Sequence, residues 1–422
     1  MRFSLVTFGC RVNQADSLRI EEQLLARGAR PSGSECADVV IVNTCSVTAS
    51  ADQGARQTIR RIARDNPGAR IVVTGCYATR REEEVAALPS VLRVVPNPRK
   101  DGLLAELDEI GLTTAERFGE GDGACGAGIA PGMMGRTAYT VRVQTGCEEK
   151  CSYCIIPSTR GPGRSHPPAA VLGQIERAAA AGFKEIVLTG VHLGSYGRDL
   201  GEPTTLLDLL RRLSESPFDV MYRVSSLEPM DCTTDVVKLM AASERFAPHF
   251  HLPLQHASDR VLAAMRRPYS ASYYRHLVDS IRARLPHASI GSDVIVGFPG
   301  ETDEDAQKNA SYLAATPLTH LHVFPYSDRP GTAAAGLPDK VGGAVIRRRA
   351  AEIRHVGQGL TERFRASQVG AIRPGLTIDD GSMVVTDNYL KVRIPAGLER
   401  NERVRVRIEG RADAMTGTLV SA

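Results

Sequence analysis

Three cysteines stand close together in the segment GCEEKCSYC, as Cys147, Cys151 and Cys154. Their spacing is Cys-x3-Cys-x2-Cys, Tyr153 directly precedes the last one, and a strand-like run, TAYTVRVQTG, precedes the first. A [4Fe–4S] cube takes four thiolates, so a close triplet without a fourth leaves one iron open to a chelating molecule. The triplet therefore indicates a cluster that binds a ligand, and a zinc site is the weaker alternative.

A second set of three cysteines is widely spaced. Cys10, Cys45 and Cys76 each end a β-rich run, FSLVTFGC, ADVVIVNTC and ARIVVTGC, and stand 35 and 31 residues apart. Helix-like stretches separate the runs, the first with Asp16 or Ser17 as candidate N-cap. Strand and helix in alternation predict a parallel sheet, in which residues just past the strand ends gather at one ligand-binding edge. We expect the three thiols to converge there.

Convergence of three thiols has two chemical interpretations and one structural one. Any single cysteine at a strand end could equally be a small buried residue. Zinc sites usually show paired Cys-x2-Cys or His spacing, which this set lacks, so an iron–sulfur cluster with one iron not held by cysteine fits better. Of the nine cysteines, Cys36, Cys125 and Cys232 belong to neither set, and the sequence assigns them no role.

Downstream of the triplet, strand-like runs alternate with amphipathic helices. With the strand before Cys147 they make six βα units, too few for a closed eightfold barrel but suited to an open, partial (β/α)6 barrel with functional residues at the strand ends. The signatures there are rich in glycine and small hydroxyls, which allow close approach to a nucleoside, although each glycine alone is more simply a turn. The candidate cofactor-binding residues are Tyr153, Thr189, Gly190, Ser225, Glu228, Gln255, Gly297 and Pro299.

The two ends of this central region have different compositions. A glycine-rich stretch at 119–135 has no hydrophobic period and predicts a linker. After Val369 short alternating runs predict a small antiparallel barrel, in which Arg405 and Arg407 share one face that could follow RNA phosphates. We therefore predict four segments: an α/β domain at 1–118, the linker at 119–135, a core at 136–366 and a β-barrel at 367–422.

Composition excludes several classes of protein. The chain has 422 residues, 42% of them hydrophobic, and a net charge of only +4, which excludes a disordered chain and a strong polycation. No secretory signal or membrane-length apolar run is present, and nine cysteines in a reducing compartment favour metal or redox chemistry over disulfides. We expect a cytoplasmic protein that does not bind membranes, with any nucleic-acid surface confined to local patches.

The assembled pattern resembles the radical S-adenosylmethionine (SAM) methylthiotransferase family across nearly the whole chain, and the tail resembles its TRAM domain. The segments TFGCRVNQADS, VNTCSVTASADQGARQ, TGCYA and VQTGCEEKCSYCIIPSTRGPGRS are most similar to the branch that acts on N6-threonylcarbamoyladenosine at position 37 of tRNA. Sister branches act on isopentenyladenosine-37 of tRNA and on a ribosomal-protein aspartate, and they share both cysteine sets. An RNA-binding iron–sulfur protein without catalysis is the rival of another class.

The resemblance implies a Rossmann-like first domain, a TIM-like partial barrel and two [4Fe–4S] clusters. Cys147, Cys151 and Cys154 would hold the cluster that cleaves SAM, and Cys10, Cys45 and Cys76 would hold an auxiliary cluster. One SAM would supply a 5′-deoxyadenosyl radical and another a methyl group, so that a methylthio group replaces the hydrogen at C2 of the adenine. The implied partners are the tRNA anticodon stem-loop, an electron donor such as flavodoxin or ferredoxin, and a sulfur source.

Overall fold

The structure is a computed structural model that describes residues 1–112, 129–202, 204–411 and 413–421. Along the described chain a five-stranded parallel sheet is followed by six parallel strands in two three-stranded sheets and then by a closed five-stranded barrel. This order confirms the predicted α/β class with a small terminal β-barrel. Residues 119–128 of the predicted linker, with Cys125, lie outside the described residues.

The first sheet has the strand order β2-β1-β3-β4-β5, and all its pairings are parallel. Its strands are β1 (Arg2–Thr7), β2 (Arg30–Pro31), β3 (Val39–Thr44), β4 (Arg70–Gly75) and β5 (Val91–Val95). Its helices are α1 (Arg11–Ala26), α2 (Ala49–Asp65), α3 (Cys76–Arg80), α4 (Glu82–Ala86) and α5 (Leu103–Glu109). All strands run the same way, but the chain connections proceed outward in opposite directions from β1 and from β3, and such sheets bind ligands at the point between these two strands.

Strand β3 is buried along its whole length because helices cover both faces of the sheet. Val40 and Val42 face α2, whereas Val39 and Ile41 face α1 and α5. Each fully buried Val or Ile contributes about 1.5–3 kcal/mol to the free energy of unfolding. The core therefore fixes β3, and with it Cys45 at its end.

Helix α1 begins at Arg11, with Cys10 as its N-cap residue, and not at Asp16 or Ser17 as the sequence suggested. Asp16 and Ser17 are buried inside the helix instead. The capping rule is local, whereas Asp16 is retained in the helix by ion pairs with distant parts of the chain. The consequence is that Cys10 lies directly at the helix N-terminus.

The central region contains six parallel strands and a short antiparallel strand pair. The strands are β6 (Tyr139–Arg142), β9 (Glu185–Thr189), β10 (Met221–Val224), β11 (His249–His251), β12 (Ser289–Val296) and β13 (His320–Pro325), and the antiparallel pair is β7 (Gln144–Thr145) with β8 (Arg164–Ser165). Two three-stranded sheets, β10-β9-β6 and β11-β12-β13, are joined by the parallel bridges of Tyr222 with Phe246 and of Ser226 with His251. The result is the open six-stranded barrel that the sequence predicted.

Helices surround this barrel and bury one continuous apolar core against it. They are α6 (Ile156–Arg160), α7 (Pro168–Ala180), α8 (Leu206–Ser214), α9 (Thr234–Ala242), α10 (Asp259–Ala264), α11 (Ala271–Arg284), α12 (Asp303–Ala315) and α13 (Gly343–Gln368). Thr205 and Thr302 begin α8 and α12 with capping boxes, each typically worth about 1 kcal/mol. Within the described residues, no helix is both long and apolar enough to cross a bilayer.

The tail forms a closed barrel with the order β14-β15-β16-β18-β17. Its strands are β14 (Ile372–Ile378), β15 (Met383–Thr386), β16 (Lys391–Arg393), β17 (Arg403–Arg411) and β18 (Ala414–Val420), and the pairings are antiparallel except the short contact of β16 with β18. The turn between β15 and β16 docks onto the central barrel. There the buried Arg223 donates to the Asp387 carbonyl at 2.9 Å, and Asn388 donates to the His287 carbonyl at 2.9 Å.

Candidate functional site

The three widely spaced cysteines follow β1, β3 and β4, which are adjacent in the sheet. Cys45 and Cys76 are buried and Cys10 is exposed. A Cβ atom placed on Gly9 would lie 2.5 Å from Cys45 Sγ, so the Cys10 loop packs directly on Cys45. Burial, followed by the nearby Cys10 and Cys76 thiols, raises the pKa of Cys45 to about 12. The structure thus brings the predicted set together.

A buried cluster of charges lies beside these thiols. Asp16 accepts bonds from Lys100 at 3.0 Å, from Arg142 at 2.5 Å and from Arg160 at 3.3 Å. Burial alone would raise the pKa of Asp16, but the three cations hold it well below its usual range. Arg142 also pairs with the partly exposed Asp101 at 2.8 Å, so three buried cations against two carboxylates leave this region with a net positive charge.

Arg160 and Lys100 carry this positive charge to the cysteines. Burial alone would raise the pKa of Cys76, but Arg160 and Lys100 outweigh that effect and lower it. Asn97 also donates to Cys76 Sγ at 3.5 Å. None of the described cysteines forms a disulfide. Three converging thiols beside buried cations fit an anionic iron–sulfur cluster held by three thiolates, because the cations offset the charge of the ligands.

The compact triplet occupies the loop after β7. Its entry requires Gly146, which has φ +76° and whose Cβ position would lie 1.8 Å from the Pro162 carbonyl oxygen. The Cys147 amide donates to the Gly161 carbonyl at 3.0 Å, and the Cys154 amide to the Cys151 carbonyl at 3.2 Å. Burial, with smaller contributions from the two other thiols, raises the pKa of Cys154 to about 12. These three thiols therefore also lie near one another and fit a second cluster.

Two side chains that the sequence did not indicate contact this triplet. Arg267 donates to Cys151 Sγ at 3.1 Å and pairs with Glu228. His192 lies 3.8 Å from Cys147 Sγ, and its other ring nitrogen lies 2.7 Å from Asp231. A guanidinium and a carboxylate side by side match the two charged groups of an amino acid.

A cavity opens beside Tyr153 and Cys154. It is bounded by Gln255, Asp293 and the end of β13, and closed on the N-terminal side by the loop after Cys45. Arg329 fixes that closure, since it donates to Ser46 at 2.9 Å and pairs with Asp52 at 3.0 Å. Of the predicted cofactor residues, Tyr153 and Gln255 line this cavity.

A larger cavity of about 680 Å³ adjoins the first, and the two share Asp293 and Phe324. Cys10 lies on its wall together with the predicted Thr189, Gly190 and Ser225. Its volume is in the range of small-molecule sites. Hydrogen bonds from His251 at 2.8 Å and His322 at 3.1 Å outweigh the effect of burial and lower the pKa of Asp293 to about 2. One carboxylate therefore faces both cavities.

The remaining predicted residues lie elsewhere. Gly297 packs against Ile346 of α13, and neither it nor Pro299 is among the described residues lining either cavity. Arg405 and Arg407 are exposed on β17, with Val406 buried between them, as the alternation predicted. Both lie outside the larger cavity. The sequence offered no signal for the contacts of Arg160 and Arg267, and it indicated Asp16 only as a helix cap.

Two family models match this chain, and each includes one of the two cysteine sets. Residues 2–96 match the Uncharacterized protein family UPF0004, and residues 141–313 match the Radical SAM superfamily. In solved structures, a radical S-adenosylmethionine methyltransferase, TsrM, from Kitasatospora setae shares the fold, with a TM-score of 0.56 and 16% identity over 79% of this chain and 75% of that one.

Curated relatives match over most of their length. The threonylcarbamoyladenosine tRNA methylthiotransferase MtaB of Aquifex aeolicus is 35% identical over 97% of this chain and 100% of its own, and that of Bacillus subtilis is 34% identical over 92% and 88%. The tRNA-2-methylthio-N(6)-dimethylallyladenosine synthase of Paenarthrobacter aurescens is 33% identical over 87% and 73%. The chain therefore belongs to the radical SAM family of tRNA methylthiotransferases, and it uses S-adenosylmethionine and [4Fe–4S] clusters.

Proposed function

We propose that this protein adds a methylthio group to C2 of N6-threonylcarbamoyladenosine at position 37 of tRNA. The relatives named for that substrate include the A. aeolicus and B. subtilis proteins, which match nearly the whole chain. One observation carries the proposal: the two three-thiol sites border two adjoining cavities. Cys154 of the compact triplet lines the smaller cavity, and Cys10 of the widely spaced set lines the larger one. An adenine in the larger cavity would have both sites within reach of one edge.

Each set of residues has its own task in this proposal. Cys147, Cys151 and Cys154 hold the cluster that cleaves SAM, while Cys10, Cys45 and Cys76 hold the auxiliary cluster. When bound, these groups would supply a 5′-deoxyadenosyl radical, which can take the hydrogen from an unactivated carbon to give 5′-deoxyadenosine, and a sulfur that carries the transferred methyl and takes the place of that hydrogen.

The surrounding side chains orient these groups. Arg267 and Glu228 match the carboxylate and ammonium of the methionine part of SAM. Tyr153 and Gln255 line the smaller cavity, where the rest of that ligand would lie. Thr189 and Ser225, whose hydroxyls lie 3.2 Å apart, face the substrate in the larger one.

The partners follow from this chemistry. The substrate is the anticodon stem-loop of tRNA, gripped in part by Arg405 and Arg407, and the cycle needs an electron donor such as flavodoxin or ferredoxin and a sulfur source. We place the reaction in the cytoplasm, away from membranes. We assign residues 1–118 to the auxiliary-cluster domain, 119–135 to the linker, 136–366 to the radical-SAM core and 367–422 to a TRAM-like RNA-binding barrel.

Nucleoside mass spectrometry of tRNA from cells with and without the protein tests the proposal. We expect the methylthio-threonylcarbamoyladenosine signal to vanish with the protein while the unmethylthiolated nucleoside accumulates. Loss of methylthio-isopentenyladenosine instead would assign the substrate of the sister enzymes. No change in either nucleoside would reject tRNA as the substrate.

Cysteine variants separate the two clusters. Cys151→Ala should abolish reductive cleavage of SAM to 5′-deoxyadenosine in the anaerobic reconstituted protein. Cys45→Ala should keep that cleavage and lose methylthiolation. Normal methylthiolation by Cys45→Ala would refute the role given to the first set, and wild-type protein that forms no 5′-deoxyadenosine would refute the enzyme assignment.

A further inference from the structure

Arg11 links the auxiliary cysteine site to the tail barrel. It is the first residue of α1, directly after Cys10, and it lines the larger cavity together with Tyr389, to whose hydroxyl it donates at 3.1 Å. Its guanidinium carbon lies 5.7 Å from the centre of the Tyr389 ring. Tyr389 has φ +69°, a conformation that non-glycine residues rarely adopt, and its ring packs 4.8 Å from that of His249. The tail thus fixes the end of the Arg11 side chain.

The charges around this cavity are unbalanced. Its described lining includes the cationic Arg11 and Lys391, and Asp293 is the single carboxylate among the described lining residues. Asp293 already accepts bonds from His251 and His322. Within the part of the chain that the structure describes, no carboxylate lies within ion-pair distance of Arg11. The cavity is therefore built to receive a negative charge.

The geometry of an adenine decides where that charge would come from. C2 and C6 both flank N1 and their outward bonds diverge, so an adenine that turns C2 toward the cysteine sites places its N6 substituent to one side of them. A threonylcarbamoyl group carries a carboxylate at the end of that substituent, whereas an isopentenyl group is wholly apolar. Planar guanidinium groups bind carboxylates through two parallel hydrogen bonds.

We propose that Arg11, held in place by Tyr389 and assisted by Lys391, binds the carboxylate of the N6 substituent and so selects threonylcarbamoyladenosine over adenosines with apolar N6 groups. The inference rests on the proposed function, since it names the subsite by which that substrate is recognised. An isopentenyl group in the same place would leave Arg11 desolvated and without an anionic partner, which is unfavourable.

Binding of three anticodon stem-loops to the anaerobic cluster-loaded protein, without SAM, tests the inference by fluorescence anisotropy. The RNAs share one sequence and carry threonylcarbamoyladenosine, isopentenyladenosine or adenosine at position 37. We expect the wild-type protein to bind the first RNA about ten- to a hundredfold more tightly than the other two, as a charged hydrogen-bonded pair predicts. Arg11→Gln should remove that preference and leave binding of the adenosine RNA within about twofold.

The matched control is an arginine on β16, the strand that also carries Lys391. Arg393 lies two residues after Lys391, is exposed and does not line the cavity, so Arg393→Gln should keep the full preference. Tyr389→Phe removes the hydroxyl that positions Arg11 and should reduce the preference by an intermediate factor. Arg11 is next to Cys10, so Arg11→Gln could lose iron for a reason unrelated to RNA binding, whereas Tyr389 is far from Cys10 in sequence. If Arg11→Gln does lose iron, Tyr389→Phe becomes the deciding variant. An unchanged preference for the threonylcarbamoyladenosine RNA in Tyr389→Phe would then overturn the inference.

The outcomes distinguish a failure of the Arg11 subsite from a failure of the proposed function. If Arg11→Gln retains the preference, the inference is wrong and the proposed function stands. If Arg11→Gln weakens the binding of all three RNAs equally, the arginine contacts a phosphate and not the N6 substituent, which also overturns the inference. A wild-type protein without preference among the RNAs would contradict the proposed substrate itself.

Discussion

Arg160 lies six positions after Cys154, yet its Nη2 atom is 3.3 Å from Oδ2 of Asp16, on the helix that begins after Cys10. The same guanidinium donates to Asn13 at 2.5 Å and to Thr145 at 3.1 Å. Both charged groups are buried. The segment that follows one cysteine set therefore supplies a cation to the other, so protein contacts link the two sites.

Replacement of Arg160 by glutamine should destabilise the auxiliary site selectively. The change removes a buried cation beside Cys76 and leaves Asp16 with two partners of three, which we expect to lower the free energy of unfolding by about 3 kcal/mol. Iron content should fall to roughly half, since only the cluster of the compact triplet would remain. Iron analysis and chemical denaturation measure both effects.

Arg164→Gln is the matched control, because Arg164 is exposed four residues further on. It should change the free energy of unfolding by less than about 0.5 kcal/mol and leave iron content unchanged. Full iron content in Arg160→Gln would show that the buried cation is not needed to hold the auxiliary cluster.

Gly9 offers a steric test of the same site. It has φ +91°, and an added Cβ would lie 2.5 Å from both Cβ and Sγ of Cys45. Gly9→Ala should therefore displace Cys45 and lose the auxiliary cluster while reductive SAM cleavage persists. The measurements are iron content and 5′-deoxyadenosine formation.

Gly28→Ala separates this clash from backbone strain. Gly28 also has positive φ, +75°, but nothing lies within 4 Å of its Cβ position. Both substitutions carry the backbone penalty of roughly 1–2 kcal/mol, but only Gly9→Ala should lose iron. Equal iron loss in both variants would attribute the effect to backbone strain alone.

The fold was predictable from the sequence because its signals are local. The β-rich runs before Cys10, Cys45 and Cys76 predict strands, and the helices between them predict that these strands pair in parallel. The ends of adjacent parallel strands then lie at one edge of the sheet. The alternation in β17 likewise places Arg405 outward and Val406 inward. Period and spacing suffice for such features.

The charged groups around the cysteines could not be predicted in the same way. Asp16 resembles a helix cap in sequence, yet it is an interior residue whose partners, Lys100, Arg142 and Arg160, are far along the chain. Arg267 lies in a turn between two helices, where an arginine is unremarkable until the fold brings it 3.1 Å from Cys151. Long-range ion pairs of this kind leave no periodic signal.

His320 should make stability depend on pH. Burial, followed by the charges of His322 and His251, lowers its pKa to about 4, while Asp293 opposes and Arg11 adds to the shift. The unfolded chain, with a histidine pKa near 6.5, then binds more protons than the folded one between these values. Stability is therefore full above about pH 6.5 and falls as the pH drops toward 4.

Anaerobic urea unfolding between pH 8 and pH 5 measures this effect. His320→Gln should remove a pH-dependent loss on the order of 1–2 kcal/mol, because glutamine does not titrate. The exposed His276, changed to glutamine on α11, is the control and should keep the wild-type pH dependence. An identical pH dependence in His320→Gln and wild type would assign the effect to other groups.

Arg405 and Arg407 give a test of tRNA contact through salt. They stand exposed on alternate positions of β17, as a face that follows phosphates requires. Each phosphate contact releases counterions, so exchange of both arginines for glutamine should weaken tRNA binding and reduce the slope of log affinity against log salt by about two. Arg403, two residues before, already pairs with Asp219 at 2.5 Å, and Arg403→Gln should change the slope less because that charge is compensated. An unchanged slope in the double variant would leave β17 with a purely structural role, because charges that contact no phosphate release no counterions on binding.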